Sequence, residues 1–207
     1  MTTPDDLSEH RAFLNAYYGA SRRIYDLTRK YYLFGRDGVL SALAAEPWAR
    51  LVEVGPGTGR NLRVLARLRP GARLGAIEAS DAMLEHARVR CPGVSFVQGF
   101  AERADYAEPL GEAPDRVLFS YCLSMVPDKV GALERARAGL APGGEVVVVD
   151  FADLEGLPAP LASLLRGWLR AFHVDPIDDD LMLRFGASLA HGPLRYFLVA
   201  RIPALEG

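Results

Sequence analysis

The sequence predicts an α/β protein with a central, mostly parallel sheet and helices on both faces, and three observations support that prediction. Apolar runs of strand length alternate with segments whose apolar residues fall at helical spacing, the order that βαβ units produce. Val117-Leu118-Phe119 and Val146-Val147-Val148-Val149 are continuously apolar, as strands covered on both faces must be. Leu51-Val52-Glu53-Val54-Gly55-Pro56-Gly57-Thr58-Gly59 joins a strand to a helix through three glycines, the connection at which such sheets hold nucleotides. With 207 residues, half of them apolar, the chain can bury a full core and reads as one domain, a helical region over 1–45 followed by a core over 50–202.

Taken in order, residues 1–10 are polar and predict a frayed start. From Arg11 to Leu33, the residues Phe13, Leu14, Tyr17, Ile24, Leu27 and Tyr31 fit helical spacing, with Gly19 marking a break between two helices. Five of the eight tyrosines lie here, which fits either an aromatic face packed on the core or a lid over a cationic ligand. The lid reading rests on the attraction of a tyrosine face for a sulfonium or ammonium, about 0.5 to 2 kcal/mol each. A helix over about 37–45 leads to the first strand. After the glycine turn come a helix over about 60–69, with Leu62, Leu65, Ala66 and Leu68, and a strand from Ala72 to Ile77 that ends on Glu78.

Ser80 is placed to cap a helix carrying Met83, Leu84 and Ala87. Val94–Gly99 is the third strand and Val117–Tyr121 the fourth. A helix over Asp128–Leu140 ends at Ala141-Pro142-Gly143-Gly144, and Val146–Val149 runs as the fifth strand to Asp150. The tail predicts a helix over 158–172 and a last strand over 195–202. No internal repeat or low-complexity segment interrupts the chain.

In a sheet of this kind the ligand sits at the carboxyl ends of the strands. The candidate windows are therefore Gly55–Gly59, Glu78–Ser80, Gly99–Glu102, Ser120–Met125 and Asp150–Asp153. Gly59 and Glu78 lie 19 residues apart, close to the interval of about 20 at which a βαβ nucleotide site places its ribose-binding acid. An adenosine-type cofactor follows, either a dinucleotide or S-adenosylmethionine. Arg60 and Asn61 stand where the pyrophosphate fingerprint would carry its remaining glycine or alanine, so that fingerprint is incomplete.

The formal charge of −2 argues against a general nucleic-acid binder. Residues 11–36 nonetheless form a local basic stretch, with Arg11, Arg22, Arg23, Arg29, Lys30 and Arg36 against Asp26. Cys91 and Cys122 are far apart, which points to neither a disulfide framework nor zinc and fits a reduced, cytoplasmic protein. No signal-like start and no apolar run of about 18 residues is present, so any membrane contact is peripheral. Asp178-Asp179-Asp180 lacks the calcium-loop pattern and reads as a helix start, and no metal is expected. His173 and Asp175 fit either an acid–base pair over the substrate or a structural histidine, and the structural reading is preferred. Ser120 and Ser124 sit in no nucleophile motif.

Val-Glu-Val-Gly-Pro-Gly-Thr-Gly resembles motif I of the class I S-adenosylmethionine-dependent methyltransferases. Further stretches, 24–33, 35–37, Ser120-Tyr121-Cys122-Leu123-Ser124-Met125-Val126-Pro127, Val149-Asp150-Phe151 and 172–174, resemble the bacterial betaine-lipid N-methyltransferases, which trimethylate diacylglyceryl-homoserine. The resemblance implies a Rossmann-like class I methyltransferase fold, an N-terminal helical lid and S-adenosyl-L-methionine as cofactor. Carried over by position, Gly55, Gly57 and Gly59 take the aminocarboxypropyl arm, Glu78 the ribose hydroxyls and the backbone of Ala101 the adenine. The usual Gly-Asp-Ala reads Gly99-Phe100-Ala101 here, so Phe100 packs on the adenine ring without accepting a hydrogen bond. The cofactor set is completed by Glu53, Pro56, Asn61, Ala79, Met83, Glu102 and Ser120.

Methyl transfer from an activated sulfonium asks the protein chiefly to align the reacting atoms and keep the nucleophile unprotonated. An aromatic cage suits that task, with Tyr25, Tyr32 and Tyr121 as walls, Arg29 as partner for a carboxylate and Ser120 beside them. The expected reaction is N-methylation of an amino-carboxylate, a homoserine-type lipid head group or a related small molecule. Two alternatives stand beside it. One is an enzyme that folds the cofactor arm back, closing azetidine-2-carboxylate and releasing methylthioadenosine; the other is a silent cofactor-binding module. No nucleic-acid partner is expected, and no oligomeric state is read from the sequence.

Overall fold

The computed structural model describes residues 33–172 and 174–205. Seven strands form one sheet in the order β3-β2-β1-β4-β5-β7-β6. They are β1 (Arg50–Val54), β2 (Arg73–Glu78), β3 (Ser95–Gln98), β4 (Arg116–Ser120), β5 (Glu145–Phe151), β6 (Ser188–His191) and β7 (Phe197–Pro203). The first five pair in parallel, and β7 runs antiparallel between β5 and β6. The helices are α1 (Arg36–Ala45), α2 (Arg60–Leu68), α3 (Asp81–Arg90), α4 (Lys129–Ala138), α5 (Ala159–Ala171) and α6 (Asp179–Arg184).

Period-two alternation along the strands divides the core into two layers. Val52, Val54, Val117, Phe119, Val146 and Val148 pack on one face with Ala132, Leu133 and Ala136 of α4 and Met182 of α6. Leu51, Leu118, Val147 and Val149 pack on the other with Leu40 and Leu43 of α1, Leu62 and Leu65 of α2 and Leu169 of α5. This two-sided cover is why the strands read as unbroken apolar runs. The predicted α/β class is the observed one.

The caps legible in the sequence are present. Ser80 Oγ accepts the Met83 amide at 3.4 Å, Asp128 accepts that of Gly131 at 2.8 Å, and Asp178 accepts that of Asp180 at 3.0 Å. Two features differ from the expectation. The last strand begins at Phe197, and β6, absent from the sequence reading, pairs with it to form an antiparallel edge. Four half-exposed residues, Ser-Leu-Ala-His, carry too little periodicity to announce a strand. Of the expected lid, residues 1–32 lie outside the described residues, whereas α1 belongs to the core layer through Val39, Leu40 and Leu43.

Ion pairs tie the two ends of the sheet. At the strand starts, Arg201 donates to Glu46 at 2.7 Å and to Glu145 at 2.9 Å. At the other end Arg195, held at a left-handed φ of 51°, donates to Asp153 at 2.8 Å and to Asp179 at 2.8 Å. The Arg201 guanidinium lowers the Glu46 carboxyl below its ordinary range, and Arg195 does the same to Asp153. A depressed carboxyl stabilises the fold above its unfolded value, near 4, and the benefit is lost as pH falls through the folded value. The melting temperature is therefore expected to fall as pH drops below about 4, and to fall less in Arg195→Gln; equal acid slopes in the two proteins would remove this pair as a contributor.

Candidate active site: a cavity at the strand ends

The glycine turn sets the floor of the site. Gly55, Gly57 and Gly59 all take left-handed φ values, 61°, 56° and 76°. Their surroundings differ. A Cβ on Gly55 would stand 2.4 Å from Cys122 Sγ and one on Gly59 2.5 Å from Cys91 Sγ, so these two glycines admit neighbouring thiols. A Cβ on Gly57 would meet nothing within 4 Å, because this residue faces the open cavity. The turn is braced from within: the Gly55 amide donates to the Ile77 carbonyl at 2.9 Å, and the Cys91 thiol donates to the Gly59 carbonyl at 3.3 Å.

Glu78 ends β2 and is 6% exposed. Its carboxylate accepts the Gly57 amide at 3.2 Å and the Ser80 amide at 2.9 Å, which fixes the acid against the turn. Beyond β3, the Phe100 carbonyl accepts the amides of Arg103 and Ala104 at 3.0 and 2.9 Å, and the buried Tyr106 hydroxyl donates to the Ala101 carbonyl at 3.1 Å. Burial raises the Tyr106 phenol, which stays a neutral donor. Residues 99–102 thus form a turn held from behind.

The far wall follows β4. Tyr121 takes a left-handed φ of 53°, packs edge-on against Phe151 with ring centroids 4.8 Å apart, and donates its hydroxyl to the Phe34 carbonyl. The next turn, Leu123–Met125, is tied to β5 by Asp150, a fully buried acid that accepts the Ser124 amide at 3.0 Å and the Phe151 amide at 2.9 Å. Asp150 therefore positions the wall formed by Met125, Val126 and Pro127.

One cavity gathers Gly55, Gly57, Glu78, Ala79, Met83, Phe100, Ala101, Glu102 and Tyr121 from the sequence-derived set. Cys122, Met125 and Gly99, within the candidate windows, line it as well. Val54, Ile77, Val126 and Pro127 also line it and were missed as site residues. The available signal for the last two was the Ser120–Pro127 stretch that carries the family resemblance. Glu53, Pro56, Gly59, Asn61 and Ser120 lie outside the lining. Tyr25, Arg29, Tyr32 and His173 lie outside the described residues.

Alternation explains Glu53. Val52 and Val54 face one layer, so Glu53 faces the other with Leu51, under α2, where Asn61 Nδ2 donates to its Oε1 at 2.7 Å. Its Oε2 and the Asn61 Oδ1 are buried without a partner, and burial pushes the carboxyl up to about 7. A raised folded value contributes stability that is complete below about 4.3 and lost as pH rises through 7. The expected result is a melting temperature that declines as pH rises from about 4.3 to about 7 and levels off above, with Glu53→Gln abolishing that decline. Parallel pH profiles in thermal denaturation would show that Glu53 does not titrate in this range.

Among the described residues, no group of three His, Cys, Asp or Glu could hold a metal ion, and no helix is long and apolar enough to cross a membrane.

Residues 52–146, from β1 into β5, match the sequence family described as a methyltransferase domain. The fold is that of the class I S-adenosylmethionine-dependent methyltransferases. The chain is 39% identical to the trans-aconitate 2-methyltransferase of Paracidovorax citrulli across 105 residues, 51% of this chain and 39% of that protein. It is 30% identical to the demethylmenaquinone methyltransferase of Beutenbergia cavernae across 155 residues, 72% of this chain and 62% of that protein. The chain spans less than half the length of the trans-aconitate methyltransferases it matches.

Two solved structures place the methyltransferase fold. CalS10, an amino pentose methyltransferase of Micromonospora echinaspora solved with S-adenosylmethionine bound, is 29% identical with a TM-score of 0.50, covering 60% of this chain and 55% of that one. A Thermotoga maritima S-adenosylmethionine-dependent methyltransferase, described as a possible histamine N-methyltransferase, is 22% identical with a TM-score of 0.66, covering 91% of this chain and 98% of that one. The residues at the cavity suit the cofactor: Gly57 leaves room for a ligand against bare backbone, and Glu78 presents a fixed acid beside it.

Proposed function

We propose that the protein methylates the nitrogen of an amino-carboxylate, a homoserine-type lipid head group or a related small molecule. The observation that carries the methyltransferase part is the juxtaposition of Gly57, open to the cavity, with the carboxylate of Glu78 that accepts its amide. S-adenosylmethionine supplies an activated methyl group on a sulfonium. The chain's own residues then have three tasks. Glu78 receives ribose hydroxyls, the glycine turn lies along the aminocarboxypropyl arm, and Met83, Phe100 and Val126 give the base an apolar slot.

The acceptor is read from the sequence, because the stretches at 24–33 and 120–127 are those that resemble the betaine-lipid N-methyltransferases. An amine acceptor needs alignment and an unprotonated nitrogen, which a cage of Tyr25, Tyr32 and Tyr121 with Arg29 on the carboxylate would provide. The named relatives act on acceptors as different as trans-aconitate and demethylmenaquinone, so the acceptor is this chain's own question.

The deciding experiment incubates the purified protein with S-adenosylmethionine, with and without diacylglyceryl-homoserine or free homoserine, and identifies the nucleoside product by mass spectrometry. S-adenosylhomocysteine formed only with an amino-carboxylate supports the proposal. Methylthioadenosine accumulating without an acceptor replaces methyl transfer by cleavage of the arm, and no turnover with any amine rejects an N-methyltransferase.

A further inference from the structure

A second cavity lies between α2 and the segment that joins α3 to β3. It shares no lining residue with the cavity at the strand ends and measures about 350 Å³, within the range of roughly 300 to 1,000 Å³ of ligand sites. Leu62, Leu74 and Val94 give it an apolar floor, and Arg63, Arg67, Arg69 and Arg90 are its charged lining. Among the described residues that line it there is no carboxylate.

Three of the four cations have an internal reason for their place. Arg69 donates to the carbonyls of Ala44 and Glu46 at 3.2 and 2.7 Å and lies over the Trp48 ring. Arg67 and Arg90 stand in the last turns of α2 and α3, where a cation complements the helix dipole. Arg63 has no such reason. It sits in the first turn of α2, which holds no acid, so the dipole opposes it, whereas Arg60 in the same turn is answered by Asp37 at 2.7 Å. It also stands four residues before Arg67, a like-charge spacing that weakens a helix. Neither Arg63 nor Arg67 makes a hydrogen bond or ion pair with a described residue.

Arg63 and Arg90 act on one point of this lining from two elements. That point is Cys91, whose thiol donates to the Gly59 carbonyl. Burial raises the thiol, the charge of Arg63 opposes the rise, Glu53 adds to it and Arg90 opposes it.

We propose that this cavity binds an organic phosphate monoester with a small apolar body, its dianion held by the guanidiniums of Arg63 and Arg90 with Arg67 at the rim. Guanidinium forks match phosphate oxygens in pairs, and three cations with no carboxylate among them suit a dianion better than a single carboxylate. Such an anion relieves the repulsion between Arg63 and Arg67, and the floor takes the apolar body. The phosphate belongs either to a free metabolite or to a lipid head group, which the site reads alike. The inference stands independently of the cofactor reading of the strand-end cavity.

The probe is n-hexyl phosphate, titrated calorimetrically at about pH 8 and about 0.15 M salt, where it is a dianion and long-range attraction is screened. A Kd below about 1 mM is expected, with inorganic phosphate weaker by about fivefold or more for want of the body. Arg63→Gln and Arg90→Gln should each weaken the probe by about tenfold, whereas Arg60→Gln, an equal loss of charge on the same helix outside the lining, stays within about twofold. Arg63→Gln should melt no lower than the native protein, because it removes an opposed cation. A purely structural Arg63 gives the reverse, a lower melting temperature with affinity kept, and overturns the inference. Pelleting with phosphatidylcholine vesicles that carry phosphatidate, lost in Arg63→Gln, assigns the phosphate to a lipid; probe binding without pelleting assigns it to a free metabolite. A probe displaced by S-adenosylhomocysteine belongs to the strand-end cavity and overturns the inference, as does native protein that leaves the probe unbound.

Discussion

Gly57→Val is expected to abolish detectable S-adenosylhomocysteine binding, a loss of at least a hundredfold by calorimetry, in a chain that remains folded. Two causes act together. The residue holds φ at 56°, where a β-branched side chain is strained by on the order of 1 to 2 kcal/mol. The valine methyls would also fill the open side of the turn, where a Cβ has no protein neighbour within 4 Å and a ligand arm would lie. Gly55→Val makes the internal contrast, because its side chain would be driven into Cys122 Sγ and would distort the protein itself. Binding should therefore be lost in both, but the larger fall in melting temperature belongs to Gly55→Val. Native-like affinity in Gly57→Val would mean that no ligand lies along this turn.

The parts of this site legible in the sequence are those whose chemistry is local. A glycine turn at a strand end needs positive φ, an acid some 20 residues on follows from the length of one βα unit, and Ser80, Asp128 and Asp178 announce helix starts by side-chain capping. The far wall of the cavity was legible only as a window after β4. Its shape depends on Asp150 reaching the Ser124 amide, a bond between residues 26 apart that no local pattern encodes. Glu53 and Asn61 illustrate the opposite failure. They sit beside the glycine turn in sequence, yet strand alternation turns Glu53 away from the cavity and onto Asn61 of α2. Adjacency to a motif selects residues; the pleat decides which of them face a ligand. The edge strand β6 was missed for want of a buried face, and its pairing with β7 is fixed only by the fold.

Glu78→Ala is expected to lower S-adenosylhomocysteine affinity by ten- to a hundredfold, about 1.4 to 2.8 kcal/mol. The carboxylate is 6% exposed and holds the Gly57 and Ser80 amides, so its removal strips a partner from each of two backbone donors as well as from the ribose. Some fall in melting temperature accompanies the change, and affinity alone would not separate a loosened turn from a lost ribose contact. The 2′-deoxy counterpart of S-adenosylhomocysteine separates them. In the native protein, deleting the hydroxyl should weaken binding by roughly tenfold, because a buried charged acceptor loses a donor. In Glu78→Ala no acceptor remains, and the ribose and deoxyribose compounds should bind alike. A deoxy penalty that persists undiminished in Glu78→Ala would place the ribose elsewhere and leave Glu78 as a brace for the turn, whereas its disappearance assigns to one carboxylate both the ordering of Gly57 and the reading of the sugar.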